Sequence, residues 1–426
     1  MTDIAQRPQV AAVEPAYVNV YSVEKGAGVP EQVFVTFWMF IIYLPLEVFS
    51  PLRYLCILGF LALMAYDYRR LMPLMFRSWP LFIVALFGLM SVGWSPFPGE
   101  ALRSGILFVL TSFVAVVIAG RLTTQQALRV VMFAGMITTI VSIPMMPLFS
   151  LGGWYASKNY FAAHMLFCML LSLITVLNEK EHAWLRLLAL PFVPVCFYFN
   201  LLANSTTALV FAILGGAALI GVKLFWSPVT RIRGLPVFVI LAAFAALVTL
   251  MLVVVNMPDN EIVAKFLGLV GKDATLTGRT SLWEGARLAA EERPWFGTGL
   301  EGFWFYDSGA AQTLNENDYK AYGTKLTFHS AYWEVRVHLG FIGLALFIYY
   351  LGWTSLRSLG LWFRDGSLVN SALLILVIVN LTITFTESTL WSTFTTPAYL
   401  QALAGIAAFR LFDPKFEGVG KIVGRK

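Results

Sequence analysis

Gly271-Lys272-Asp273-Ala274-Thr275-Leu276-Thr277-Gly278-Arg279-Thr280-Ser281-Leu282-Trp283 opens the one long polar interval of a chain that otherwise alternates apolar runs with short turns. The interval continues through Arg287, Arg293, a Pro294-Trp295-Phe296-Gly297 turn and a tract rich in Tyr, Asn and Asp, and it closes at His329-Ser330. Apolar sequence flanks it on both sides, so it reads as an extramembrane segment held by a membrane scaffold. Composition agrees. Of 426 residues, 58% are hydrophobic and 13% charged, about half the charge that soluble domains carry.

A helix needs about 20 mainly apolar residues to cross a bilayer, and about 12 stretches qualify. They lie near 33–49, 53–67, 79–94, 103–120, 126–148, 159–177, 183–203, 206–225, 235–256, 331–355, 368–387 and 395–412. With the N-terminus inside, the short cytoplasmic loops collect Arg69, Arg70, Arg77, Arg121, Arg129, Lys180, Arg186, Lys223, Arg231, Arg233, Arg357 and Arg364. The short outer loops hold only Arg53, Arg103 and Lys158. That is the positive-inside asymmetry. The fold expected is an all-α polytopic membrane protein with one large, partly helical periplasmic loop. Its parts are a cytoplasmic tail (1–31) without a cleavable signal, a nine-helix membrane region (32–256), the periplasmic loop (257–330), a three-helix region (331–412) and a second cytoplasmic tail (413–426). Cys56, Cys168 and Cys196 sit inside apolar spans without metal or disulfide spacing, and read as small core residues. The net charge of +6 is accounted for by topology, so no nucleic-acid partner is expected.

Polar residues that need explaining converge on the outer side. Ser281-Leu282-Trp283-Glu284 has the form of a capping box, which starts a helix just after Arg279 and lets Pro294 stop it. Free amides at a helix N-terminus together with a guanidinium suit a diphosphate. Lys272 and Thr277 are further candidate donors beside them, although a solvated loop is the commoner reading of such residues. His329 stands at the mouth of the tenth span, on a helical face expected to include Trp333, Arg336 and Gly340, with His338 facing elsewhere. An imidazole there is suited to take a proton from a hydroxyl nucleophile. Arg336 lies about two turns deeper, where a charge needs a partner or a polar cavity; Glu47, Glu334 and Glu387 are the partners considered. Lys158-Asn159 and Ser205-Thr206-Thr207 begin two spans at the same mouth, and Lys158 is a second candidate phosphate clamp. The aromatic residues around Trp295, Phe303 and Trp304 suit an interfacial belt or a sugar-stacking surface. Gly297-Thr298-Gly299-Leu300-Glu301-Gly302 fits a dinucleotide fingerprint but lacks its βαβ context and reads as a flexible loop.

Gly278-Arg279 followed by Trp283, then Pro294-Trp295-Phe296-Gly297-Thr298-Gly299, then His329-Ser330 with Gly340 and Gly343, resembles the core signature of the O-antigen ligase and polymerase superfamily. The string from Gly271 to Thr280 and the Lys158-Asn159 pair look most like its ExoQ-type exopolysaccharide polymerases. The resemblance implies a GT-C-like membrane glycosyltransferase without a metal or other cofactor, in the bacterial inner membrane with its site facing the periplasm. Its donor would be an undecaprenyl-diphosphate-linked oligosaccharide, and export and chain-length-control proteins are further expected partners. By the same resemblance Arg279 would contact the diphosphate and His329 would be the base, or would position the acceptor. Lys158, Asn159, Arg336, Lys272, Trp283 and Ser330 make up the expected substrate surroundings. In one place the chain departs from the ligases: Ser205-Thr206-Thr207 stands where they usually carry a Ser-Arg pair, and Lys158 or Arg336 is left to supply that charge.

The leading expectation is a polymerase extending a lipid-linked glycan. A ligase delivering glycan to lipid A core or to protein shares the same motifs. Two readings of other classes are a secondary transporter or lipid-linked oligosaccharide flippase, and a non-catalytic scaffold. Transporters place polar residues at mid-membrane within internal repeats, and neither feature is seen here.

Overall fold

The computed structural model describes residues 26–44, 46–155, 157–230 and 279–409, with isolated positions between 231 and 278. The expected ninth span, most of both tails, and Lys272, Thr277 and Gly278 lie outside the described residues. Among those described every regular element is a helix. In order they are α1 (Val29–Tyr43), α2 (Ser50–Tyr66), α3 (Tyr68–Arg77), α4 (Pro80–Met90), α5 (Pro98–Arg121), α6 (Thr124–Ser142), α7 (Lys158–Leu177), α8 (Ala183–Ala189), α9 (Phe192–Leu202) and α10 (Thr206–Thr230). After the undescribed stretch come α11 (Arg279–Glu292), α12 (Gly309–Asn317), α13 (Ala331–Arg364), α14 (Leu368–Ile383) and α15 (Thr396–Ala407).

Seven described helical segments are long and apolar enough to cross a membrane, or eight if α3 and α4, bent by 76°, count as one span. The count of twelve is therefore not reproduced among the described residues. The apolar runs are there, but several are divided. The first expected span stops at Tyr43, before the short turn Glu47–Phe49 that leads into α2. The third is preceded by α3, which takes up a stretch expected as loop. The last two are short, at 16 and 12 residues.

α7 lies at the centre, buried over most of its length and packed against α6, α9 and α10. Gly135 of α6 makes this approach close: a Cβ there would stand 2.9 Å from the Cys168 sulfur. Cys56, Cys168 and Cys196 are buried and unpaired, as small core residues should be. On the outside, Leu55, Leu58 and Leu61 of α2 are exposed along an apolar face that suits lipid.

The two ends of α5, about 36 Å apart for its 24 residues, gather different charges. At its C-terminal end Arg121 pairs with Glu31 at 2.7 Å and Asp67 at 2.5 Å, and Arg70 donates to the Gly120 carbonyl. At its N-terminal end Glu100 pairs with Arg103 and faces Lys325 of the polar interval.

One break positions the site. α13 is interrupted at Gly340, whose φ of 68° and ψ of −164° belong to a region open essentially to glycine alone. The interruption frees backbone groups, and the Pro294-to-Gly299 turn takes them. Phe341 N donates to Pro294 O at 2.9 Å, Thr298 N to Val337 O at 3.0 Å and Gly299 N to His338 O at 2.9 Å. The strands of backbone lie so close that a Cβ on Gly340 would collide with the Trp295 carbonyl, and one on Gly297 with that of His338. On its other side the stretch is tied to the turn that follows α4, by Trp94 Nε1 to Phe296 O and by Leu300 N to Ser91 Oγ. The Gly297-to-Gly302 stretch expected to be a flexible loop is thus pinned from both sides. Gly340→Ala should cost at least about 1–3 kcal/mol and lower the melting temperature in detergent. Gly352→Ala, whose Cβ meets nothing within 4 Å, should leave it unchanged or raise it; equal melting of the two variants would contradict the backbone approach.

Candidate active site

Three elements converge on one carboxylate. α11 buries Leu282, Ala286, Ala289 and Ala290, a helical stripe that lays it against α13 and puts Arg279 at the near end. α14 ends at Ile383, and the following turn carries Glu387, whose N–H donates back to the Ile383 carbonyl. His329 precedes α13. Glu387 Oε1 accepts from Arg279 at 2.6 Å, and its Oε2 lies 3.2 Å from His329 Nδ1. The two residues expected to carry catalysis are therefore joined through a third that no motif had marked as part of the site. The Arg279 and Glu387 side chains are 13% and 8% exposed and that of His329 is 28%, so the imidazole is the most open of the three.

His329 is held in a left-handed conformation, φ 50°, that few non-glycine residues adopt. Its neighbours impose this. Phe328 is fully buried against Phe303 and Trp304, and its N–H donates to Glu334 Oε1 at 2.6 Å. Trp283 Nε1 donates to the Phe328 carbonyl at 2.8 Å. Beyond His329, Ser330 is buried at the head of α13, and Ala331 N donates to the Thr384 carbonyl at 2.9 Å. Trp283, expected beside the substrate, bonds here to the backbone that carries His329, and Ser330, expected there too, is buried at the head of α13 without capping it.

Burial by itself would raise the Glu387 carboxyl, but the charge of Arg279, aided by the hydrogen bond and charge of His329, outweighs it and holds the group below its ordinary 4.5. An ionised carboxylate only accepts, so Nδ1 must donate to it and Nε2 is the ring nitrogen left to accept a proton.

Several expectations need correction. Arg279 and Thr280 are already helical, so Ser281 lies within α11 rather than capping it, and Glu284 binds Arg287 at 2.6 Å instead of closing a box. His329 stands outside α13 and shares no helical face with Arg336. Arg336 binds neither Glu47, Glu334 nor Glu387: its NH1 donates to the Pro294 carbonyl at 2.8 Å, and its guanidinium lies 3.6 Å from the Phe341 ring centroid. The Pro294 turn packed on the break in α13 supplies that arrangement, which hydropathy does not register. The aromatic tract divides, with Phe303 and Trp304 in a small core and Trp295, Tyr306, Tyr319 and Tyr322 exposed.

Lys158 and Asn159 begin α7, and Asn159 Oδ1 accepts from Ser205 Oγ at 3.1 Å, which ties the starts of α7 and α10 together as their common placement implied. Among the described residues the side-chain hydrogen bonds and ion pairs of Arg279 and His329 run to Glu387 and that of Asn159 to Ser205, so the two groups are not bonded to one another. Among the described residues no group of three or more His, Cys, Asp or Glu side chains is arranged to hold a metal.

A family model described as O-antigen ligase matches residues 191–348. The chain is also similar to the exopolysaccharide production protein ExoQ of Rhizobium meliloti (strain 1021), with 29% identity over 306 residues. That match takes in 67% of this chain and 66% of the relative, just short of two thirds of its length. The resemblance carried by the Arg279, Pro294 and His329 motifs thus holds along much of the chain. The family match contains Arg279 and His329 and stops before Glu387.

Glu387→Gln should keep the shape of the side chain but leave the buried Arg279 without its counter-charge, a loss of about 3–5 kcal/mol in thermal or denaturant unfolding. Because the folded-state carboxyl is depressed, its contribution is whole above the unfolded value near 4.5 and is lost as pH falls through the lower folded value. Wild type should therefore lose stability relative to Glu387→Gln on acidification through that window. Glu291→Gln, which removes one exposed partner of Arg287, is the control expected to change nothing measurable.

Proposed function

We propose that the chain is an inner-membrane polysaccharide polymerase, transferring a glycan from a polyprenyl diphosphate to a hydroxyl of a second lipid-linked repeat unit in exopolysaccharide synthesis. The observation that carries this reading is Glu387 holding Arg279 and His329 at one place. A base for the nucleophile and a cation for the leaving group are the two requirements of such a transfer. The similarity to ExoQ and to O-antigen ligases supports it.

In the proposed step the acceptor O–H bond breaks and its proton passes to His329 Nε2, while the acceptor oxygen forms a bond to the anomeric carbon. The bond from that carbon to the diphosphate breaks, and its electron pair goes to the diphosphate oxygen. Among the described residues Arg279 gives one donor to Glu387, and its remaining donors would meet the charge developing on the diphosphate. Glu387 holds the imidazole in the accepting tautomer and stabilises it once protonated, as the acidic member of a catalytic triad does. Attack opposite the leaving group inverts the anomeric centre, and side-chain cations do the work that a metal does elsewhere. The polar interval would face the periplasm, where donors arrive already activated.

A cavity of about 520 Å³ beside Tyr332, Trp333, Arg336 and Phe341 is the natural place for the start of the polyprenyl chain, apolar apart from Arg287, Glu291 and Arg336 at its edge. The ligase reading shares this chemistry, and the O-antigen ligase match supports it as well. The absence of the Ser-Arg pair at Ser205-Thr206-Thr207 favours the polymerase.

Purified protein given the lipid-linked repeat alone should make a ladder of polymer lengths that a chelator does not abolish. Arg279→Lys should lose roughly a hundred- to a thousandfold in rate, since lysine lacks the planar fork. His329→Ala should lose roughly a hundred- to ten-thousandfold yet still bind donor, whereas Arg279→Ala should weaken donor binding too. Wild-type polymer from His329→Ala would remove the base from the mechanism.

Orientation has its own check. The three native cysteines are buried and Tyr319 is almost fully exposed, so a Tyr319→Cys variant gives a clean probe. An impermeant maleimide should label it in cells with a permeabilised outer membrane; labelling only in inverted vesicles would place the site on the wrong side.

A further inference from the structure

The first turns of α13 separate two cavities of opposite character. Tyr332, Trp333 and Arg336 face the apolar one, and Glu334 faces a second of about 330 Å³, within the range of about 300–1,000 Å³ usual for ligand pockets. The second cavity is bordered by Glu100, Arg103, Glu301, Lys325 and Trp391, and its wall runs up to the catalytic group. Thr327, on that wall, accepts from the His329 N–H at 3.3 Å, and Ser388, also on it, directly follows Glu387.

Resting on the glycosyl-transfer reading, we infer that this second cavity is the subsite for the sugar of the acceptor, and that it selects a neutral, hydroxyl-rich ring. The charges on its wall are already matched to one another: Lys325 lies 2.6 Å from Glu301 and 4.0 Å from Glu100, and Arg103 lies 3.4 Å from Glu100. Three carboxyl side chains stand against two cations, so an anionic sugar gains no unmatched positive partner. A hydroxyl, in contrast, can donate to a carboxylate and accept from an ammonium at once. Glu301 is held by its loop at φ 58°, an unfavourable conformation for a residue with a side chain.

The aromatic wall gives an independent sign. Trp391 is buried, borders this cavity and a smaller neighbouring one, and its indole N–H has no acceptor among the described residues, although buried donors are rarely left so. Trp304, on the same wall, gives its N–H to Glu334 at 3.1 Å. A hydroxyl-bearing ligand would supply the acceptor that Trp391 lacks. On this assignment the lipid of the donor and the sugar of the acceptor approach His329 from opposite faces of α13, which sets the incoming hydroxyl and the leaving diphosphate apart.

The test measures binding without any donor. Full-length protein in lipid nanodiscs is titrated with a neutral hexose tetrasaccharide and with an oligouronate of equal length, followed by saturation-transfer NMR. The neutral sugar should bind at least about tenfold more tightly, and Lys325→Met and Trp391→Phe should each weaken it by roughly tenfold. Melting temperatures identify a variant that fails to fold, in which case the other decides. Binding of the neutral sugar unchanged in the folded variants, its absence from wild type, or equal binding of the oligouronate would each overturn the assignment. If instead the neutral sugar binds as described and the lipid-linked repeat is never polymerised or transferred, the subsite stands and the proposed function falls.

Discussion

A buried carboxylate shared by a guanidinium and an imidazole is the constraint on which the site depends. Glu387 is nearly sealed from solvent, where an isolated charge costs several kcal/mol, and it is retained because Arg279 and His329 meet its two oxygens separately. The bridge also does what neither partner does alone. It sets α11, the turn before α13 and the turn after α14 at fixed distances, and it leaves Nε2 of the imidazole outside the bridge.

The bridge in turn requires a rigid support for His329, whose backbone conformation is unfavourable. That support is distributed. Phe328 is locked into a small aromatic core, Glu334 accepts its N–H, Trp283 donates to its carbonyl, and the Thr384 carbonyl accepts from the Ala331 N–H. Below it the Pro294-to-Gly299 turn repairs the break at Gly340 by supplying partners to the backbone groups the break exposes. A continuous helix would need no such partner, and the turn would then have no reason to lie against α13. The glycines at 297 and 340 are thus two halves of one contact, made at a distance where neither backbone leaves room for a Cβ.

The broken helix also divides space. On one side Arg336 stacks on Phe341 beside an apolar cavity, and on the other Glu334 joins a polar one. The alternation of side chains around the first turns of α13 sets an apolar and a polar environment on opposite sides of one helix, and the proposed transfer between two lipid-linked sugars would use the first for the polyprenyl chain and the second for the hydroxyls.

The sequence by itself determined the class of molecule, because hydropathy is additive along the chain: apolar runs long enough for a bilayer, basic loops at alternate turns and one polar interval are all local properties. It also singled out Arg279 and His329, since rare polar residues beside a membrane stand out against an apolar background. Only the tertiary structure decided what joins them. Glu387 is 108 residues from Arg279 and 58 from His329, and a lone carboxylate at the end of an apolar span carries no spacing signal that ties it to either. Arg336 shows the same limit from the other direction. Its charge and depth called for a carboxylate, but the Pro294 carbonyl, brought up by the turn that packs on the break one turn away, satisfied it. Such a break is not a property of any residue taken singly; it exists because a second segment is there to bond with it.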